Sequence, residues 1–244
     1  MVFKKRYKPF YKQFSRLRVN IQNRSKLFKF KKQKWLKFQG YSKSQLKFFK
    51  RYKFKDQFRV FVNKFASRGN SFQKKFKNNL QERKIFTLFY GGLKRKYFKT
   101  SVFKLINSKK FKKRGSDDLK HNVVQFFESR LDTVLYRSGF CLSIKEARKF
   151  ILHKHVLVNK TFVTTGSFNL KSNDLIEISG NVKSRNWVKQ NLLKFNFWLI
   201  PSKHLQINYR TLQILFLYTD SLNLFPTFNH YLNLTSVVDS IKKY

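Results

Sequence analysis

Residues 129–159 read SRLDTVLYRSGFCLSIKEARKFILHKHVLVN, and this stretch decides the fold. Ser143 and Glu146 have the spacing of a capping box, in which the serine side chain accepts a hydrogen bond from the glutamate N–H and the glutamate reaches back. Ala147, Phe150 and Ile151 follow at the spacing of one helical face. The stretch therefore predicts a helix that begins after Ser143 and turns these three side chains inward.

The residues before the capping box also have helical periodicity. Between residues 122 and 138, apolar side chains recur at steps of three and four residues: Val124, Phe127, Leu131, Val134 and Leu135. Gly139 follows, and glycine is the usual residue just past a helix end because it adopts a left-handed backbone at little cost. The pattern predicts one helix over residues 122–138.

Short apolar runs after the second helix predict strands. They are Val156–Val158, residues 162–163 and Leu175–Ile178, with turns at residues 159–160 and 172–174. Two helices packed on a small antiparallel sheet would form a compact α+β module over residues 122–180. Basic arms would extend from it, including a helical basic N-terminal region.

Positive charge is concentrated in the first half of the chain. The 244 residues carry a net charge of +44, of which residues 1–115 contribute +36 from 38 Lys+Arg and two acids. Like charges at this density destabilise a compact state unless a polyanion is bound. Nucleic acid is therefore the expected partner, and an anionic membrane is the weaker candidate. A DNA-compacting or membrane-surface protein would also fit this half taken alone.

The basic half contains several short amphipathic patterns. Aromatic side chains at steps of three and four over residues 3–17 predict a helix that begins near Pro9, and a second helix is predicted over 41–52. Ile85, Leu88, Phe89 and Leu93 form a further stripe, in which Gly91-Gly92 either ends a helix or allows close packing. We expect short helices and extended arms that order on RNA.

These patterns predict a division of the chain into four parts. Residues 1–78 would be a basic extension, 79–121 a helical RNA-binding region with a linker at 108–118, 122–180 the module, and 181–244 a segment that packs back on the body.

Several kinds of site are not expected. A single cysteine, Cys141, excludes intramolecular disulfides, and His153 and His155 lack further ligands for a metal. The sequence has no phosphate-cradling glycine loop, nucleophile elbow or apolar run long enough for a membrane span. We expect no cofactor. The abundance of Phe, Lys, Asn, Tyr and Ile is typical of AT-rich codons and suggests an organellar genome.

The segments RLDTVLYRSGF, SIKEARKFILH, HVLVNK and NDLIEIS resemble the RNA-binding module named after small-subunit ribosomal protein four. The family pattern falls on Arg130, Leu131, Asp132, Gly139, Ser143, Ala147, Arg148, His153, Val158 and Asn159. Lys160 stands where the family usually has a turn glycine, and Asn173 stands where glycine usually precedes Asp174. Lysine adopts a left-handed backbone less readily than glycine, so a reshaped first turn is expected.

The flanks carry the resemblance further. NLQERKIFTLFYGGLKRKYF, at 79–98, is similar to the basic helices that precede the module in the ribosomal protein, and residues 201–226 and, more loosely, 8–35 resemble organellar versions. The resemblance implies a structural constituent of the mitochondrial small ribosomal subunit, organelle-encoded, that binds the five-prime domain of small-subunit rRNA and supports assembly and accuracy. It implies ribosomal protein five as a neighbour and a position near the channel through which mRNA enters.

The residues predicted to contact RNA are basic side chains of the module and of the helices before it. They are Arg130, Arg137, Lys145, Arg148, Lys149, His153, Lys154, Lys160, Arg83, Lys84, Lys94, Arg95 and Lys96. Arg130, Lys145, Arg148 and Lys149 are expected to share an exposed ridge that meets phosphates. Cations in the last turns of a helix also complement its dipole, which is a structural reason for some of them.

The alternative within the same module is an RNA-modifying enzyme, because pseudouridine synthases use an aspartate in an Arg-Leu-Asp context. Asp132 occupies that position. It lies inside a predicted helix, where local pairing with an arginine is the simpler interpretation, and the chain after the module is short for a catalytic sheet.

Overall fold

The computed structural model describes residues 11–17, 21, 29–33, 35–39, 72–107, 116–194, 202, 204–217 and 232–242. The chain divides into two compact units, one of residues 1–94 with 228–244 and one of residues 95–227. The division follows Lys94, whereas the linker predicted at 108–118 lies largely outside the described residues, and its last three residues begin a helix. The four-part division of the chain stays a prediction.

The helices and strands follow the α+β class that the sequence predicts. In chain order they are α1 (Tyr11–Leu17), α2 (Phe72–Phe89), α3 (Arg95–Asn107), α4 (Ser116–Glu128), α5 (Leu131–Arg137), α6 (Ile144–Leu152), β1 (Val156–Val158), β2 (Thr161–Phe162), β3 (Leu175–Ile178), α7 (Val182–Leu193), β4 (Leu205–Asn208), β5 (Gln213–Phe216) and α8 (Leu234–Lys242). Residues 35–39 are also helical. Within the described ranges, no helix has the length and apolarity needed to span a bilayer.

In the first unit, α2 packs against α8. The predicted stripe is confirmed for Ile85, Leu88 and Phe89, which are buried, whereas Leu93 lies past the end of α2 and is half-buried. Gly91 and Gly92 have positive φ angles of 75° and 73°, so the pair ends the helix. The N–H groups of Gly92 and Leu93 both donate to the Thr87 carbonyl, at 2.9 and 3.1 Å, and cap the last turn.

The N-terminal helix begins close to the predicted position. α1 starts at Tyr11, two residues after Pro9, and buries Phe14. The ring of Phe30 contacts those of Tyr11 and Trp35, at centroid distances of 5.5 and 4.9 Å. The aromatic positions before residue 11 and the helix predicted over residues 41–52 lie outside the described residues.

In the second unit, a five-stranded antiparallel sheet has the order β2-β1-β3-β5-β4. β1 and β3 have the predicted bounds, and β2 begins one residue earlier than predicted. The hairpin of β4 and β5 was not predicted, and it pairs with β3 through Ile176 and Ile214. The core contains one face of this sheet together with side chains of α5, α6 and α7: Leu131, Val134, Leu135, Ala147, Ile151, Val156, Ile176, Val188 and Ile214, all fully buried.

The single helix predicted over residues 122–138 is wrong. Arg130 is extended, with φ −73° and ψ 139°, and separates α4 from α5. Two backbone hydrogen bonds join this break to the loop before β3: Leu131 N–H to the Phe168 carbonyl at 2.9 Å, and Leu170 N–H to the Ser129 carbonyl at 2.9 Å. Apolar periodicity continues across the break because Leu131 still faces the core, so the sequence pattern could not show it.

The capping box is confirmed, with one difference in its partners. Ser143 Oγ accepts from Glu146 N–H at 3.3 Å, and the Glu146 carboxylate reaches back to the N–H of Leu142 at 3.0 Å, one residue earlier than the usual pattern. Gly139 has φ 79° just past α5, as predicted for a helix end. These two signals end α5 and begin α6, the helices that carry Arg137, Lys145, Arg148 and Lys149 of the predicted contacts.

Candidate nucleic-acid interface

A buried ion pair network holds α5 and α6 together. Asp132 is fully buried, and its Oδ1 accepts from Arg130 Nε at 3.0 Å. Its Oδ2 accepts from Arg130 Nη2 at 2.8 Å and from Arg148 Nε at 2.7 Å. The Arg130 guanidinium also donates through Nη1 to the Tyr97 hydroxyl on α3 at 2.7 Å. One carboxylate therefore links the two helices of the module, and Arg130 links it to α3.

The prediction that Arg130 lies on an exposed ridge is wrong. The residue is 3% exposed, and its guanidinium binds Asp132 and Tyr97 inside the protein. Burial alone would lower the pKa of Arg130, but the hydrogen bonds and charge of Asp132 raise it, so the guanidinium stays charged. Local pairing of Asp132 with arginine is confirmed, and Arg130 acts in the fold.

Arg148 lies at the edge of the same network with its side chain 30% exposed. The aliphatic part of the side chain packs closely on Gly166 in the loop before β3. A Cβ atom added to Gly166 would lie 3.0 Å from Arg148 Cγ. The side chain is thus held by the Asp132 carboxylate and by this loop. A guanidinium oriented in this way keeps a defined position for a phosphate oxygen.

Arg137 is used mainly within the module. Its Nε and Nη2 donate to the two carboxylate oxygens of Glu128, at 3.0 and 2.8 Å. The Arg137 side chain is 9% exposed and that of Glu128 is 5% exposed. Arg137 was predicted to contact RNA, but little of its side chain reaches solvent. The pair links α4 to α5.

Nearby His204 is buried, and burial lowers the pKa of its imidazole. The charge of Glu128 raises that pKa and the charge of Arg137 lowers it.

One group of exposed basic side chains of the module lies on α6 and just after it. Lys149, His153 and Lys154 are exposed, and Lys145 is half-buried. α6 ends at Leu152, so His153 and Lys154 follow its C-terminus, where cations complement the helix dipole. The interaction with the helix dipole is a structural reason for these basic residues. Their side chains also lie in solvent, where phosphates can reach them.

The turn between β1 and β2 presents Lys160. Asn159 and Lys160 have φ angles of 48° and 66°, so both take the left-handed backbone of a two-residue hairpin turn. Val158 still pairs with Thr161. Lysine at this position thus takes a left-handed backbone, which glycine adopts more readily. The Asn159 side chain joins the turn to β3, donating to Asp174 Oδ1 at 2.9 Å and accepting from Leu175 N–H at 3.0 Å.

The remaining predicted contacts fall in both units. Lys84 and Lys94 are exposed and Arg83 is half-buried in the first unit. Arg95 and Lys96 are exposed in the first turn of α3, in the second unit. Within each unit these charges are available to a polyanion, except that Arg83 is only partly exposed.

Sequence reasoning missed α7, which packs on the module. Ser184, Trp187, Val188 and Asn191 form its inward face, and the Trp187 ring stacks on Phe150 with centroids 4.7 Å apart and an interplanar angle of 20°. A face of mixed polarity gives no apolar stripe, which is why the periodicity did not reveal this helix. Asn181, whose side chain accepts from Lys183 N–H at 3.0 Å, was the available signal for its start.

The described residues contain no group of three or more His, Cys, Asp or Glu side chains placed to hold a metal. The rings of His153 and His155 are 6.2 Å apart, and His155 Nδ1 shares a hydrogen bond of 2.9 Å with Ser184 Oγ. Cys141 is buried, and burial raises the pKa of its thiol well above the ordinary value. A buried protonated thiol is an apolar core group.

Comparison with known proteins finds the module and its wider family. Residues 129–176 match the family model of the S4 domain. A small ribosomal subunit protein uS4m of Marchantia polymorpha is 33% identical over 162 residues, which cover 64% of this chain and 76% of that protein. A uS4m of Reclinomonas americana is 30% identical over 156 residues, covering 62% and 60%.

A bacterial relative gives the same result. A uS4 protein of Aquifex aeolicus is 33% identical over 123 residues, covering 50% of this chain and 55% of that protein. The chain thus spans less than two thirds of the Reclinomonas and Aquifex proteins and about three quarters of the Marchantia protein.

Proposed function

This chain belongs to the uS4 family of small ribosomal subunit proteins, and we propose that it is a structural constituent of the small subunit of a mitochondrial ribosome. The observation that carries the proposal is the S4 module itself, which presents Lys149 on α6, His153 and Lys154 just after it, and Lys160 in the hairpin turn to solvent. The names of its relatives from Marchantia and Reclinomonas support the compartment.

The proposed mechanism is binding of small-subunit rRNA through its phosphates and shape. Exposed lysines neutralise phosphates and release condensed counterions, which supplies most of the affinity and makes it depend on salt. The rigid pair α5 and α6 fixes where those charges lie, because Asp132 and Arg148 join the helices at 2.7 Å. Fixed spacing of charges favours one RNA shape over others.

The finer parts of the proposal come from the family resemblance. The five-prime domain of small-subunit rRNA is the proposed target, with roles in subunit assembly and translational accuracy. Ribosomal protein five is the proposed protein neighbour, and mRNA passes nearby on its way into the subunit. The AT-rich codon signature of the composition supports an organellar gene.

The geometry of Asp132 favours this structural role over the pseudouridine synthase alternative. A catalytic carboxylate must touch its substrate. Asp132 has no solvent exposure, and both of its oxygens accept hydrogen bonds from arginine side chains. The carboxylate therefore lacks the access that a reaction at a base requires.

Crosslinking in cells tests the proposed function. The tagged chain would be irradiated in its organelle and the bound RNA sequenced. We expect crosslinks concentrated in the five-prime domain of mitochondrial small-subunit rRNA. Crosslinks spread over many RNAs would contradict the ribosomal role, and crosslinks focused on tRNA would favour a modifying enzyme.

A paired variant tests the module as the RNA-binding surface. Lys149→Glu/Lys160→Glu reverses two exposed charges of the module, and Lys171→Glu/Arg210→Glu reverses two exposed charges outside the predicted contacts. We expect the first pair to lose most of the crosslinks to rRNA and the second to keep them. Equal losses would show that total charge, and not the predicted contact surface, determines binding.

A further inference from the structure

The outward face of α7 carries positive charge with nothing to balance it on the helix. Lys183, Arg185 and Lys189 are exposed, and residues 180–194 contain no acid. Arg185 and Lys189 are four residues apart, where like charges meet on a helix surface and destabilise it. Lys183 lies in the first turn, where the helix dipole disfavours a cation. The face is therefore electrostatically unfavourable unless an anion covers it.

The fold holds α7 in place in spite of these charges. Val188 is fully buried in the core of the second unit, and Asn191 Nδ2 donates to the Phe140 carbonyl at 3.2 Å. The stacked rings of Trp187 and Phe150 join α7 directly to α6. Packing on the inward face thus fixes the outward cations on a rigid element, as a specific binding surface requires.

The same contacts place α7 beside the basic end of α6. Ser184 touches His155, and these residues are chain neighbours of Lys183 and Lys154 respectively. The cations after the end of α6 and those of α7 therefore belong to adjoining parts of one unit.

We propose that the outward face of α7, which carries Arg185 and Lys189 one turn apart and has Lys183 at its margin, is a second phosphate-binding surface that extends RNA contact beyond the S4 module. The inference rests on the proposed RNA-binding function. A rigid helix with cations at one-turn spacing suits phosphate oxygens along a backbone and has no requirement for base sequence. Leu193, which is 83% exposed at the end of the helix, would suit a protein instead, and that occupant is an outcome of the test.

The salt dependence of RNA affinity measures the contact directly. Arg185→Gln/Lys189→Gln would be compared with the matched pair Lys171→Gln/Arg210→Gln in the full-length chain. The probes are a transcript of the five-prime domain of mitochondrial small-subunit rRNA and an unrelated transcript of equal length. Each phosphate contact contributes roughly 0.7 to 0.9 to the slope of log affinity against log salt, so losing two should lower the slope by about 1.5. The matched pair should keep the wild-type slope.

The variant pair is chosen so that unfolding does not explain a loss. Removing two like charges at i and i+4 relieves repulsion and leaves the helix at least as stable. A wild-type slope for Arg185→Gln/Lys189→Gln on both transcripts would overturn the inference. If the wild-type chain does not prefer the five-prime domain, the proposed function fails, but the slopes on either transcript still decide the role of α7.

Lysine acetylation of the wild-type chain gives a second readout. We expect RNA to protect Lys183 and Lys189 from the reagent and to leave Lys171 reactive. Protection of both α7 lysines in assembled subunits, without protection by either transcript, would mean that a protein covers the face and would contradict the proposal.

Discussion

At Asp132, one carboxylate without solvent exposure accepts hydrogen bonds from two guanidiniums. Removing one partner of a buried ion pair is costly, because the remaining charge stays buried without its counter-charge. Asp132→Asn keeps the shape but not the charge, and we expect it to lower the free energy of unfolding by about 3 kcal/mol. The urea midpoint of the full-length chain measures this loss.

Glu177→Gln is the control for that variant. Glu177 is half-buried on the sheet and accepts one hydrogen bond from Gln213 Nε2 at 2.6 Å, which a glutamine oxygen can also accept. Its change should cost less than about 1 kcal/mol. Similar losses for the two variants would show that the network around Asp132 does not stabilise the module.

The side chain of Lys160 is exposed and lies outside the core, but its backbone is strained at φ 66°. A left-handed conformation costs an ordinary residue roughly 1–2 kcal/mol, and glycine avoids this cost but loses more entropy on folding. We expect Lys160→Gly to stabilise the chain by about 0.5–1 kcal/mol, measured as a rise in the urea midpoint. Lys171→Gly, at an exposed position without positive φ, should not stabilise it. A loss of stability in Lys160→Gly would mean that the lysine side chain supports the turn.

At the scale of elements, Glu82 reports on the packing of α2 against α8. Burial raises the pKa of its carboxyl above the ordinary value of 4.5, and the hydrogen bond from Asn233 N–H, at 3.1 Å, lowers that pKa in part. Because the raised pKa means that the folded state disfavours the carboxylate, ionised Glu82 destabilises this packing at neutral pH. This destabilisation disappears as the pH falls through the raised pKa of the folded state towards the ordinary value of 4.5, because the carboxylate is then protonated.

Glu82→Gln removes the charge and keeps an oxygen for the Asn233 N–H. We expect the variant to have a higher melting temperature than the wild type at pH 7, with the difference vanishing towards pH 4.5. Glu177→Gln serves again as the comparison, since it lies in the other unit. A constant difference across the pH range would show that burial of the charge is not the cause.

The elements also show what the sequence could predict. Local signals were sufficient for β1, β3 and the start of α6 after Ser143, because each depends on residues close in sequence. At Gly91-Gly92 the sequence left a helix end and close packing open, and the positive φ angles decide for the helix end. The break at Arg130 depends on backbone pairing with a loop about 40 residues later, and the β4–β5 hairpin on pairing with β3. Neither leaves a local pattern.

The candidate site divides in the same way. Sequence reasoning identified exposed cations such as Lys149 and Lys160, because a lysine is rarely buried. It misplaced Arg130, since only the folded structure brings Tyr97 within 2.7 Å of its guanidinium. It missed the cations of α7 because no motif marks a basic helix face whose inward side is partly polar.

At the scale of the whole molecule, charge is the dominant physical fact. Residues 1–115 carry a net charge of +36 and residues 116–244 carry +8. Repulsion among the charges of residues 1–115 opposes compaction, whereas the lower net charge of residues 116–244 is compatible with an independent core. The two halves should therefore respond differently to RNA, with the first gaining order from the polyanion and the second already having it.

Hydrogen exchange of the full-length chain tests this difference. Without RNA at low salt, we expect slow exchange in β1, β3 and α6, whose side chains form the core of the second unit, and faster exchange on average in the strongly basic residues 1–115. Adding the five-prime-domain transcript should slow exchange mainly in the first half. An RNA of the same length added at high salt is the control, because screening removes the counterion-release contribution that drives the ordering. Uniformly slow exchange in the RNA-free chain would contradict the prediction, since a segment of that charge would then be ordered without any polyanion.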